Sequence, residues 1–224
     1  MIKKYIIFDA GPLINFAMNG LLPVLKKLKQ EFDGDFIITK EVKREIIDYP
    51  ESTKKYELEA LQIKQLFEEG IIKHADLTEK EVNLLREKRE ELMNTANSTF
   101  FSAPNKPIHI LDKGESAALA LGHILKGPSV IAMDERTGRL LCENPDSLKK
   151  LLQNKLHTNI TANKKNYDLF KGYKIIRSTE LAYLAYKKQL IDIKDPKLLD
   201  ALLYALKLHG CVITDEEIAE MKKM

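Results

Sequence analysis

Two spacings of apolar positions alternate along the chain. Short apolar runs closed by a turn residue or a carboxylate predict buried strands at Lys4–Asp9, Phe36–Thr39, Ile71–His74, Pro128–Asp134 and Tyr173–Arg177. Apolar residues recurring every three or four positions predict helices between them. The first, Leu13–Lys29, follows the Gly11-Pro12 turn and is broken near Gly20 and Pro23. Others are predicted at Lys40–Asp48 (capped by Thr39), Thr53–Glu69, Thr78 to about Met93, Gly114–Lys126 and Thr179 to about Gln189. The chain closes with a helix over Pro196–Gly210, a strand over Cys211–Thr214 and a helix from Asp215. The polar stretch Asn94–Pro107 reads as a mobile loop. Apolar strands alternating with helices predict an α/β fold, a three-layer α/β/α arrangement around a mainly parallel sheet. We expect one domain over residues 1–224, with a basic insertion at about 144–171.

Composition narrows the function. At 224 residues and 44% hydrophobic, the chain can bury a core without disulfides or a structural metal. Cys142 and Cys211 stand alone, which excludes a zinc ribbon or a CxxC redox motif. No apolar run approaches the length of a membrane span, and Tyr5–Phe8 is too short for a signal core, so a cytoplasmic location is expected. The net charge of +3 is unevenly spread: Lys149–Arg177 holds eight Lys or Arg against the single acid Asp168. Tyr167, Phe170 and Tyr173 are interleaved there, as a phosphate-tracking, base-stacking surface requires, with Lys164, Lys165 and Lys171 as candidate RNA contacts. A solvated Lys-rich insertion explains the same residues.

The carboxylates carry the chemistry. Asp9 and Asp134 each follow an apolar strand, at the sheet edge where parallel sheets bind ligands. A turn or helix-cap role is the competing account of each. Glu45 shares an i, i+3, i+4, i+7 stripe with Val42, Ile46 and Tyr49, where a buried carboxylate needs a partner or a cation. Glu115 shares a face with Ala118, Leu119 and Gly122, although Asp112 and Glu115 also have the spacing of a capping box. Such acids gathered at one edge repel unless hard cations intervene, and oxygen-only ligation suits Mg²⁺ or Mn²⁺ acting on a phosphodiester.

The succession FDAGPLINF, ITKEVKREI, LDKGESAALALG and VIAMDERTGRLL resembles the PIN-domain ribonucleases, in particular a branch whose third motif reads Gly-Glu. The resemblance runs from Ile2 to about Leu141. It implies an acidic quartet of Asp9, Glu45, Glu115 and Asp134 as catalytic and metal-binding residues, with Asp112 an accessory acid. It further implies Mg²⁺- or Mn²⁺-dependent cleavage of RNA, often as a toxin paired with an antitoxin protein, and often as a homodimer. Gly11 stands where that family commonly has a polar residue, Glu115 where it commonly has Asp, and the stretch from Asn144 to Lys171 is longer than a minimal domain needs. Arg136 and Arg139, just after Asp134, are candidate phosphate contacts. A second register would place Asp200 and Asp215 in the site, against which Thr214 and Glu217 have capping-box spacing.

Rival chemistries lack their residues. There is no GxxxxGK[ST] loop, no GxSxG elbow, and no second acid two positions after Asp9. The remaining alternative is a non-catalytic scaffold of the same fold that binds RNA or protein.

Overall fold

The computed structural model describes residues 3–224; Ile2, where the family resemblance begins, lies outside them. Five strands, β1 (Tyr5–Phe8), β2 (Asp35–Ile38), β3 (Ile72–His74), β6 (Ser129–Ala132) and β8 (Ile175–Ile176), form a parallel sheet in the order β3-β2-β1-β6-β8. Each predicted strand of the sheet is present, shortened at its ends except for β2, which begins one residue earlier than expected and ends at Ile38. Side chains alternate across it: Phe8, Phe36, Ile38 and Ala132 enter one core, and Ile7, Ile37 and Ile131 enter the other. Burial on both faces is why these strands are continuous apolar runs.

One face is covered by α1 (Ala10–Met18), α2 (Leu22–Glu31), α5 (Glu57–Glu68), α10 (Ser178–Lys187) and α11 (Leu198–Leu208). The other is covered by α6 (Glu79–Asn97), α7 (Lys113–Ile124), α8 (Arg136–Glu143) and α9 (Pro145–Leu156). The three-layer α/β/α expectation holds. Thr39 caps α3 (Lys40–Lys43) by accepting from the Val42 N–H at 3.2 Å, and a Thr78–Glu81 capping box starts α6.

Three expectations need correction. Asn94–Pro107 is no loop: α6 runs on to Asn97, and β4 (Phe100–Ser102) and β5 (Lys106–Pro107) follow as a hairpin. The basic insertion supplies β7 (Ile160–Ala162), antiparallel to β4, then a 3-10 helix over Lys164–Phe170. The fully buried Phe100 anchors this small sheet. Cys211–Thr214 forms no strand; Ile213 packs instead with Leu203, Ile218 and Met221, against α12 (Asp215–Met221). The helix predicted from Thr53 begins only at Glu57, because α4 (Tyr49–Thr53) ends there and Lys54 and Tyr56 take left-handed backbone conformations. No described helix is long and apolar enough to cross a membrane.

Candidate active site

The parallel sheet delivers Asp9 and Asp134 side by side. β1 and β6 pair in register through Phe8 and Ala132, and the Asp9 N–H donates to the Ala132 carbonyl at 3.0 Å. Neither acid spends its carboxylate on capping the helix that follows. Asp9 makes no side-chain cap bond to α1, and the cap of α8 is Glu135, which accepts from the Thr137 N–H. Asp134 is 3% exposed and held at both oxygens: Oδ1 accepts from the Ser178 N–H at 2.7 Å and Oδ2 from the Asn15 amide at 3.2 Å.

Glu45 arrives by a different route from the one its spacing suggested. A π-helical turn over Arg44–Asp48 follows α3, and one extra residue per turn rotates the helix surface. Val42, Ile46 and Ile47 are buried, while Glu45 and Tyr49 are exposed, so the stripe that put Glu45 on the apolar face does not exist. Its carboxyl reaches the acids nonetheless, because α3 packs against α7.

Gly114 marks the meeting point. A Cβ there would lie 3.1 Å from Glu45 Oε2, 3.4 Å from Asp112 Oδ1 and 3.5 Å from Asp9 Oδ1. Three carboxylate oxygens from three separate elements thus surround one small volume that only the absence of a side chain leaves open. Asp112, assigned an accessory part from sequence, is in this innermost group. Among the described residues, no group of three or more His, Cys, Asp or Glu side chains is arranged to hold a metal ion.

Glu115 divides its carboxylate. Its Oε2 accepts from the Asp112 N–H at 2.9 Å while its own N–H donates to Asp112 Oδ1 at 2.9 Å, a complete capping box. That accounts for one oxygen only. Oε1 is buried with no hydrogen-bond partner, and lies 3.1 Å from where a Gly138 Cβ would be, beside Met133 and Leu111. A buried carboxylate oxygen without a donor is costly unless a proton or a cation meets it.

The electrostatics agree. Burial pushes Asp9 up to about 7, partly offset by the Ala10 N–H, with Asp112, Glu45 and Asp134 adding repulsion. Burial also pushes Glu115 up to about 9, reinforced by Asp9. Glu45 is raised, by loss of solvent around its carboxyl and then by Asp112. Each of these groups resists ionisation first because it has lost solvent, and then because its charged neighbours are acids.

The candidate RNA contacts do not gather here. Arg139 is buried and paired with Glu143 at 3.0 Å; Arg136, at the start of α8, is half-buried. Lys164 pairs with Asp146 and Lys171 with Asp168, and Lys165 is exposed. Lys171 and Lys174 lie beside Gly122 and Ser129, at the amino end of β6, opposite the edge that carries the acids. The interleaved rings are not a stacking surface: Phe170 is fully buried, and Tyr167 and Tyr173 pack against the same core. Asp200 pairs with Lys222, and Asp215 with Lys207 and Tyr204, on the outside of the C-terminal helices.

Sequence reasoning missed Asn15. It is 1% exposed and donates to Asp134, and its amide also lies 3.0 Å from the Leu206 carbonyl. The available signal was a lone amide within the apolar run LINFA. Gly11 leaves room for a side chain, since a Cβ there would be 3.4 Å from Asp134 Cβ, an ordinary contact.

A family model described as DUF3368, a PIN domain, matches residues 5–146. The chain belongs to the PIN domain family. No curated protein and no solved structure gives a significant match. The matched stretch contains all five acids and ends before α10 and α11, which supply the Ser178 and Leu206 contacts. PIN domains are generally nucleases that use divalent metals. The donor type in this PIN domain suits such a cation, since Asp9, Glu45 and Asp112 present carboxylate oxygens beside Gly114.

Proposed function

We propose that this PIN domain is a divalent-metal-dependent endoribonuclease that hydrolyses RNA phosphodiester bonds. The observation that carries the reading is the approach of Asp9, Glu45 and Asp112 oxygens to one point beside Gly114. Asp9, Glu45 and Asp112 would hold Mg²⁺ or Mn²⁺, with Glu115 and Asp134 behind them. When bound, such an ion stabilises the charge that develops on a phosphodiester. Asp134 is fixed beside Asp9 by Asn15 and Ser178.

The test is cleavage of labelled RNAs by purified protein in Mn²⁺, in Mg²⁺ and in EDTA, beside Asp9→Asn. Metal-dependent cutting that disappears in the variant supports the reading. Cutting in EDTA, or undiminished by the variant, sinks it.

One observation favours a second reading, a non-catalytic scaffold. Both Asp134 oxygens and Glu115 Oε2 are already bonded within the chain. RNA binding without cutting under any metal condition would support that reading. The toxin role, an antitoxin partner and a homodimer rest on the family resemblance, and growth arrest on expression of the active chain is the test of the first.

A further inference from the structure

Next to the acids lies a cleft of about 490 Å³ whose far wall the sequence did not flag. Glu45 and Gly114 form its inner end, so it opens directly onto the carboxylate cluster. Lys40, Arg44, Arg89 and Lys113 line the rest, with Tyr49. Arg89 is held by Glu41 and Glu90, which fixes one cation and neutralises the acid on that wall. Among the described residues Lys40, Arg44 and Lys113 have no ion-pair partner, and all three are exposed. The π-helical turn and its flanks present Arg44, Glu45 and Tyr49 together, and Tyr49 is 65% exposed.

We propose that this cleft, rather than the basic insertion, is where a single strand of RNA lies as it enters the site, with its phosphates on Lys40, Arg44 and Lys113 and one unpaired base stacked on Tyr49. The proposal rests on the nuclease reading of the adjoining acids for its placement. Its chemistry is independent of that reading. Unpartnered cations attract a phosphate backbone, and an exposed ring accepts a base of any sequence once that base is unpaired. The volume falls within the ordinary range of small-ligand sites, roughly 300–1,000 Å³, which suits a nucleotide or two. The insertion offers less, because Lys164 and Lys171 are paired and its rings are in the core.

The experiment is binding of a fluorescein-labelled 12-nucleotide single-stranded RNA, followed by anisotropy in EDTA at several salt concentrations. The chains compared are wild type, Arg44→Ala/Lys113→Ala, Tyr49→Ala and Lys164→Ala/Lys165→Ala. All altered side chains are exposed, and thermal melts confirm folding. We expect the Arg44/Lys113 pair to weaken binding at least tenfold and to lower the salt slope by about 1.4, at roughly 0.7 for each lost phosphate contact on a single strand. Tyr49→Ala should weaken binding about tenfold with the slope unchanged. The insertion variant should match wild type, and a duplex of the same sequence should bind more weakly. Wild-type affinity in both cleft variants, or loss confined to the insertion variant, overturns the proposal, as does absence of wild-type binding. Because no metal is present, cleavage plays no part in the readout. A chain that never cuts RNA but loses binding in the cleft variants would refute the nuclease reading and leave the cleft standing.

Discussion

The Asn15 amide donates to Asp134 Oδ2 at 3.2 Å, and the same nitrogen lies 3.0 Å from the Leu206 carbonyl. A helix that follows the first strand therefore ties an acid of the site to a helix near the other end of the chain. Asn15→Ala would leave Asp134 Oδ2 buried without a donor, at a cost of about 1–3 kcal/mol. Urea unfolding measures this directly, and an unchanged midpoint would show that the bond contributes nothing.

The metal-free chain should lose stability as pH rises from 5 to 9. Asp9 goes from an ordinary 3.8 to about 7 in the folded chain, and Glu115 from 4.5 to about 9. Both are raised, so the folded state keeps protons that the unfolded state has released. Their contribution is complete below the ordinary values and is lost as pH climbs to about 7 for Asp9 and about 9 for Glu115. Asp35 and Glu217 are lowered instead, which confines their opposite effect to acid pH. Melting in EDTA across this range should fall throughout, and Asp9→Asn should flatten the portion below pH 7. A melting temperature that rises with pH would contradict the clustering.

Mn²⁺ must compete with the same protons. With Asp9 at about 7, its ionised fraction rises about tenfold between pH 6 and pH 8, and calorimetric affinity for Mn²⁺ should rise about as much. Asp9→Asn should abolish that dependence. Equal affinity at the two pH values would place the ion elsewhere.

Two glycines separate the site from its support. In Gly114→Ala the new methyl meets the movable end of Glu45 at 3.1 Å, with Asp112 and Asp9 beyond. Alanine gains about 1 kcal/mol of helix propensity over glycine, so stability should hold while Mn²⁺ binding and cleavage fall at least tenfold. In Gly138→Ala the methyl would come within 2.8 Å of the buried Met133 sulfur, and overpacking should cost about 1–3 kcal/mol. Denaturation and Mn²⁺ titration of both variants decide this; loss of folding in Gly114→Ala with normal metal binding would reverse the assignment.

The parts of this molecule visible in its sequence were those with a local cause. Strands buried on both faces are bound to be apolar runs, and the acids after β1 and β6 sit at the edge that a parallel sheet dictates. Thr39, Thr214 and the Asp112–Glu115 pair cap their helices as their spacing implies. What stayed hidden depends on distant segments or on a broken period. The π-helical turn defeats the stripe that placed Glu45 inside. The β4 strand looks like loop because its partner, β7, lies far along the chain and only Phe100 is fully buried. Tyr167, Phe170 and Tyr173 read as a binding surface because nothing local shows that they face a core. The Asn15 clamp and the cleft are tertiary, assembled from elements that no spacing rule connects.

The parallel sheet ends in β3, three residues long, on one side and β8, two residues long, on the other. Such stubs present too few free backbone groups to template a further strand. Growth of the sheet from molecule to molecule, the usual route by which exposed strands nucleate fibres, is therefore closed at both margins. Copies of this chain that do associate must meet through surfaces other than the margins of this parallel sheet.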